Sequence, residues 1–357
     1  MIRILQVYPQ LNNAGTEMVM MNWYKNIDRN KVQFDFLVQK HGELDEIVES
    51  MGARVFVQPL TNDYKNNLLS FFKEHNEYNT VHTHTHKEMG VVLEMAKKAG
   101  IKNRIAHSHN SRTDLPAIFK IYKMITSRKT EANATYFMSC SKEAAKWQFP
   151  RKYHQCQIVN NAIDLEKFLF NEERRTAFRS QFNLHENDKV ICHVGRFAEQ
   201  KNHKRIIKII NEMMKNDEKL HAFLIGVGPL LEQIKSEAKY DRIHFLGNRT
   251  DVPDIMCASD LFLFPSLYEG LGIVAVEAQA SGLHCIASDN VPKAADIGNN
   301  LFHQLSLNDS DEKWIQAINK YIVPVKDRKE KSLSSFNTDY NIKKIANQME
   351  NFYLEIN

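Results

Sequence analysis

FPSLYEGLGIVAVEAQASGLHCIASD, from Phe264 to Asp289, is the stretch that decides the fold. It divides into the end of a buried apolar strand (LFLFPS), a glycine-punctuated turn (YEGLG), an apolar helix carrying Glu277, and a second short strand (HCIASD). Strand, loop, helix and strand in that order form the repeating unit of a parallel sheet covered by helices. The first N–H groups of such a helix have no intrahelical acceptor, and its dipole is positive at the same end, so an anion fits in front of the strand. Gly270 and Gly272 lack Cβ atoms, which lets the backbone come close to a phosphate. Glu269 in the loop and Glu277 in the helix, eight residues apart, need another partner. Sugar hydroxyls are the natural one, because an ionised carboxylate accepts hydrogen bonds from two adjacent hydroxyls at once. The local chemistry suggests a nucleotide sugar, the plainer alternative being a tight strand-to-helix turn with two solvated glutamates.

Working outward, the same alternation recurs on both sides. From residue 1 to about 165, the runs IRILQVY, QFDFLVQ, ARVFVQP, TVHTHT, RIAHSHN, TYFMSCS and QIVNNAI alternate with helical patterns. That predicts one Rossmann-like domain over 1–165. Residues 164–188 are charged and poor in strand formers, and read as a link through a short helix. A second series, KVICHVGRF, HAFLIGVG, RIHFLGN, LFLFPS and HCIASD, predicts a second Rossmann-like domain over 166–337. The last segment, 338–357, places Ile342, Ile345, Met349, Phe352 and Tyr353 at helical spacing, so one face of it must pack against something.

At 357 residues the chain has ample length for two cores. Its 47 basic and 43 acidic residues leave a net charge of +4, too small a balance to imply nucleic acid. The five cysteines are odd in number and lack C-x-x-C spacing, which predicts reduced core residues in a cytosolic protein. MIRILQVYPQL reads as a first strand rather than a signal peptide. No apolar run approaches the roughly 18–20 residues that span a bilayer, so any membrane contact is expected to be peripheral.

Ligands of open α/β sheets bind at the carboxyl ends of the strands. There VICHVGR ends in Gly195 and Arg196, with Lys201 five residues on, so two cations can converge on one site, the plainer alternative being a solvated basic loop. LIGVGPLLE places Gly226 and Gly228 before Pro229, a turn into a helix with proline in its first turn. QLNNAGTE places Gly15 between the first strand and a helix, and Glu17 in the first helical turn, where its ordinary role is to offset the dipole. HTHTH and AHSHN give His82, His84, His86, His107 and His109 at two strand ends. Alternating histidines share a strand face, yet zinc also recruits oriented partners, so metal is the minority reading. Residues 115–131 interleave Ile118, Phe119, Ile121, Tyr122 and Ile125 with Lys120, Lys123, Arg128 and Lys129. This suits either an interfacial helix on anionic lipid or a core-facing helix with a solvated basic face. Asp309-Ser310-Asp311 reads as a helix start rather than a metal motif.

Glu269 and Glu277, with the sequence between them, resemble the E-x7-E signature of retaining glycosyltransferases of the two-domain GT-B fold, in the family 4 or group 1 type. The resemblance covers nearly the whole chain and runs in order through Gly15, His109, Arg196, Lys201, Glu269 and Glu277. It implies two Rossmann-like domains with parallel sheets facing a central cleft, the first for acceptor and the second for donor, and a final helix that crosses back onto the first. It implies that Arg196 and Lys201, in the family's G-R-x4-K pattern, hold the donor diphosphate. Each cation offsets up to roughly 4 kcal/mol of charge developing there, before desolvation. By the same resemblance Gly226 and Gly228 lie in the G-x-G-P loop near the donor, and Asn248 and Arg249 lie in the segment that contacts the base. The amides of Gly270, Leu271, Gly272 and Ile273 face the diphosphate, Glu277 grips the ribose, Glu269 orients the sugar and His109 lies across from it. Gly15 belongs to a loop that usually carries two glycines, where this chain has Ala14.

The expected activity is retaining transfer of a hexose-type sugar from a nucleotide diphosphate sugar, with uridine as base, to a hydroxyl of a glycan or lipid-linked acceptor. The expected setting is polysaccharide, capsule or exopolysaccharide synthesis in the cytoplasm, at the inner face of the membrane if residues 115–131 touch it. No metal, other cofactor or nucleic acid is required. The alternatives are a non-hydrolysing nucleotide-sugar epimerase and an inactive scaffold for a partner transferase. Fold alone does not separate them.

Overall fold

A computed structural model describes residues 1–12, 15–109, 117–322 and 327–357 of the chain. It divides into two compact units, Met1–Ile163 with Ile342–Asn357, and Asp164–Asn341. The sequence reading places the two divisions at 165 and 337. Each unit is a parallel sheet with helices on both faces.

The first unit holds strands β1 (Ile2–Tyr8), β2 (Val32–Val38), β3 (Val55–Val57), β4 (Thr80–Thr83), β5 (Asn103–Ser108), β6 (Tyr136–Ser139) and β7 (Gln157–Ile158). They lie in the order β3-β2-β1-β4-β5-β6-β7, every pair parallel. The order reverses between β1 and β4, and a crevice opens at the carboxyl ends of strands at such a point. β2 is buried at every residue, as expected of a strand covered on both faces.

The terminal helix Ile342–Ile356 belongs to this first unit. Ile345, Ala346, Met349 and Tyr353 are buried against Trp23, Tyr24 and Phe34, each large apolar side chain contributing about 1.5–3 kcal/mol. Glu350 fixes the helix by accepting from the Asp28 N–H at 2.9 Å and from Lys31 at 3.0 Å.

The second unit holds β8 (Lys189–Val194), β9 (Leu220–Ile225), β10 (Ile243–Gly247), β11 (Leu261–Phe264), β12 (His284–Ser288) and β13 (Phe302–Leu305). Their order is β10-β9-β8-β11-β12-β13, again all parallel, and the reversal falls between β8 and β11. Alternation along the strands divides the core. Ile191, Leu224 and Leu263 pack with Ile206, Ile210 and Trp314 on one face, while Val190, Cys192, Phe223 and Phe262 pack with Phe178 on the other.

Residues 164–188 are not a free link. The helices Leu165–Phe168 and Glu172–Ser180 are built into the second unit. Arg175 reaches Asp260 at 2.7 Å, and Arg179 donates to the carbonyls of His185 and Asp188, each at 2.7 Å. Arg175 and Arg179 anchor the segment in this way, while Glu166, Lys167, Glu172, Glu173 and Glu186 stay exposed.

The stripe proposed for lipid is altered in the same way. Leu115, Pro116 and the side chains up to Tyr122 lie outside the described residues. In the helix Ala117–Asn133, Lys123 is buried and donates to Gln148, and Lys129 pairs with Glu94 at 2.5 Å. Met124, Ile125 and Arg128 remain exposed. Two of the four cations counted toward that face are turned into the protein. Among the described residues, no helix is long and apolar enough to cross a membrane.

Asp309 and Asp311 flank Ser310, the N-cap of the helix Asp311–Tyr321, and are paired with Lys313, and with Arg205 and Lys208, respectively. The five cysteines are free thiols, four of them buried.

Candidate active site

In the second unit, the loops after β8 and β11 meet at the β8/β11 reversal and are stitched to each other. The Leu267 N–H donates to the Gln200 carbonyl at 2.8 Å, the Gln200 amide to the Tyr268 carbonyl at 2.9 Å, and the Asn202 amide to the Pro265 carbonyl at 3.1 Å. This stitching brings Lys201 Nζ within 2.6 Å of Glu269 Oε1, with only 16% and 7% of the two side chains exposed. Lys201 also lies over the Phe264 ring, 5.0 Å from its centre. A low-dielectric wall on one side and a carboxylate on the other hold the ammonium in one place. Arg196 is exposed and has no ion-pair partner among the described residues. One cation is therefore fixed and the other is free to reorient.

The glycines have distinct causes. A Cβ on Gly226, at φ +135°, would stand 2.1 Å from the Gly195 carbonyl oxygen, and one on Gly228 would stand 2.4 Å from that of Phe197. The loop after β9 thus lies directly on the loop after β8, which explains the G-x-G without invoking a ligand. Gly272 caps the helix Ile273–Ala280 in the left-handed region, at φ +81°, where a side chain is strained. Gly270 has neither constraint: a Cβ there meets nothing within 4 Å. Leu271 is buried, while Ile273 opens the helix with its N–H in the first turn, where no intrahelical acceptor exists.

Glu277 stands in the middle of that helix, partly buried, with no hydrogen-bond or ion-pair partner among the described residues. Desolvation pushes its carboxyl up to about 8. Asn248 and Arg249 are exposed in the loop after β10, and Arg249 is tied to Asp251 at 2.7 and 2.5 Å. Arg249 is therefore engaged locally, by the acidic residue two positions on.

In the first unit, Gly15 opens the helix Gly15–Asn26, and Asn13 and Ala14 lie outside the described residues. Glu17, Gln10, Asn12 and Lys40 line a pocket of about 450 Å³. Beside it, at the β1/β4 reversal, four imidazoles form a stack. Rings of His107 and His109 lie 4.2 Å apart at 12°, and Tyr8 stacks on His84 at 4.3 Å. Burial pushes all four imidazoles down, His109 to about 4, so they are neutral at pH 7. Nitrogens of His82, His84 and His107 lie within 4.8 Å of one another, but His82 Nε2 is engaged with His107 Nδ1, and both nitrogens of His84 are engaged with His109 and Gln6. Hydrogen bonding accounts for the cluster.

Sequence reading did not single out Gln200 and Asn202, which stitch the loops, or Gln6, bonded to His84 at 2.9 Å. Nor did it single out His193, buried beside Gly195, or His203, buried and stacked on Phe197 at 4.0 Å. A histidine in the otherwise apolar KVICHV was the available signal.

Residues 174–331 match the family model described as glycosyl transferases group 1. The chain is 33% identical over 334 residues to the putative glycosyltransferase EpsF of Bacillus subtilis, covering 88% of this chain and 86% of that one. It is 25% identical to the UDP-Gal:alpha-D-GlcNAc-diphosphoundecaprenol alpha-1,3-galactosyltransferase of Escherichia coli, covering 99% and 96% of the two chains. Its fold is similar to that of Anabaena Alr3699/HepE in complex with UDP, with a TM-score of 0.81 at 16% identity over 99% and 100% of the chains.

Proposed function

The chain belongs to the group 1 glycosyl transferases, and on that premise we propose that it moves a hexose-type sugar from a UDP-sugar to a hydroxyl of a glycan or lipid-linked acceptor, with retention and without a metal. The observation that carries this reading is the Lys201–Glu269 pair at the β8/β11 reversal, 2.6 Å apart, in the same loop as a helix N-terminus that no side chain caps. A diphosphate needs cations and N–H donors, and the sugar beside it needs a carboxylate.

Lys201 and Arg196 receive the diphosphate, Lys201 from a preset position and Arg196 by reorienting from solvent, assisted by the amides of Gly270, Leu271, Gly272 and Ile273. Glu269 keeps one oxygen on Lys201 and turns the other toward the sugar hydroxyls. Glu277, unpartnered, accepts from the ribose, while Asn248 and Arg249 lie toward the base. In the first unit, Gly15 and His109 are the candidates for substrate contact. The bond from the anomeric carbon to the phosphate oxygen breaks, and the acceptor oxygen bonds that carbon on the same face. The acceptor proton passes to the departing phosphate oxygen, so no separate base is needed.

The uridine and the lipid-linked acceptor are supported by what the names of the Escherichia coli relative and the Anabaena structure state. The polar pocket beside Glu17 is assigned to the acceptor. Contact with anionic membrane rests on the side chains exposed among the described residues 123–131, namely Met124, Ile125 and Arg128. Release of UDP from a panel of UDP-sugars, with and without membrane extract as acceptor source, tests the reading. Extract-dependent release from one donor supports transfer, release of an epimerised UDP-sugar without acceptor supports the epimerase, and neither is expected of a scaffold.

A further inference from the structure

Gln6 is fully buried in β1, and its two amide ends reach different partners. Its Oε1 lies 2.9 Å from His84 Nε2, and its Nε2 donates to the Tyr353 hydroxyl at 3.1 Å. A carboxamide oxygen only accepts, so His84 carries its proton on Nε2. The other nitrogen of neutral His84 is then an acceptor, and it lies 2.7 Å from His109 Nε2. His109 must therefore donate from Nε2, which leaves its Nδ1 as a bare lone pair.

The second branch follows the same logic. Tyr353 accepts from Gln6, so its one hydrogen goes to His82 Nδ1 at 2.6 Å. His82 then donates from Nε2 to His107 Nδ1 at 3.1 Å, and His107 is left with an N–H at Nε2. The two ends of the branches, His109 Nδ1 and His107 Nε2, are buried and have no partner among the described residues. One is an acceptor and the other a donor. Stacking of Tyr8 on His84 and of Trp23 on His107, the latter at 5.5 Å, holds the rings against rotation.

We infer that Gln6 is a positioning residue that fixes the tautomer of all four histidines and so presents His109 Nδ1 to a sugar hydroxyl as a hydrogen-bond acceptor. Turning the Gln6 amide over would reverse every bond and make His109 a donor. Which nitrogen carries the proton is thus decided two hydrogen bonds away from His109, on another strand. The part concerning the sugar rests on the transferase reading. The tautomers themselves do not.

The test uses the full chain with nitrogen-15 in its histidines. Long-range proton–nitrogen spectra at pH 7, assigned by single histidine substitutions, separate bare from protonated ring nitrogens. All four residues are expected in the Nε2–H form. Tyr353→Phe cuts only the second branch, so His82 and His107 become mixtures while His84 and His109 stay as they were, and UDP release is unchanged. Gln6→Leu, or Gln6→Met if the leucine variant does not fold, releases His84 and His109 as well and lowers kcat for UDP release roughly tenfold. An Nδ1–H form of His109 in the wild type, or an unchanged His109 in both Gln6 variants, overturns the relay. Tautomers that move while kcat holds overturn its link to the sugar. If the wild type releases no UDP at all, the transferase reading fails, and the spectra still decide the relay.

Discussion

Lys201 and Glu269 are 68 residues apart in sequence and 2.6 Å apart in the fold. The contact gives the cation a fixed position before any ligand arrives, so little reorganisation is left for the reaction. It also gives the two residues separable tasks.

Glu269→Gln keeps the Lys201 charge and removes the carboxylate. UDP binding is expected to stay within about threefold, because the diphosphate site is intact, while turnover of the UDP-sugar falls roughly a hundredfold. Titration calorimetry with UDP and a UDP-release assay on the same preparation check the split.

Glu277 supplies a pH dependence. Its carboxyl is raised by desolvation to about 8 in the folded protein, above the ordinary carboxylate range of the unfolded chain. The folded state therefore favours the protonated form. That contribution to stability is fully present below about pH 4.5 and is lost as pH rises toward 8. Glu277→Gln has no such loss. Its melting temperature is expected to match the wild type at pH 5 and to exceed it by roughly 2–4 °C at pH 9. A thermal-shift series over that range checks it.

The two glycines of the YEGLG turn are predicted to differ. Gly272→Ala forces a Cβ into a backbone at φ +81° and against the Phe264 ring at 3.0 Å, and is expected to cost about 1–2 kcal/mol. Gly270→Ala meets nothing and is expected to change stability by less than about 0.5 kcal/mol. Urea melts of the two variants decide the matter.

Asp260 accepts from the Val190 N–H at 2.8 Å and from Arg175 at 2.7 Å, with Arg179 at 3.4 Å. Asp260→Asn leaves buried guanidinium charge uncompensated and is expected to cost about 3 kcal/mol. A two-step urea melt, with the 164–341 unit unfolding early, is the expected observation.

The alternation of strands and helices was legible because apolar runs such as KVICHV and HAFLIG repeat at a spacing that only crossover units satisfy. The cations and carboxylates were legible one at a time, as residue types near strand ends. Their pairings were not. Nothing in a sequence says that Lys201 meets Glu269 or that Lys123 meets Gln148, because each pair joins segments that come together only after the sheet has formed. How residues 164–188 are held was not legible either: Arg175 and Arg179 find Asp260 and backbone carbonyls only once the second unit has folded. Gln6 was invisible because its partners lie 78 and 347 residues away. Gly270 and Gly272 look alike in sequence, and only backbone geometry separates them.

The most direct measurement is calorimetric titration of UDP into the wild type and Lys201→Ala, both in EDTA. Saturable metal-free binding by the wild type that weakens at least tenfold in the variant is the predicted result, since a charge-assisted contact to a diphosphate is worth roughly 1.5–3 kcal/mol. Equal affinity in the two proteins, or no metal-free binding to the wild type at millimolar UDP, would contradict the assignment of this site to the donor diphosphate.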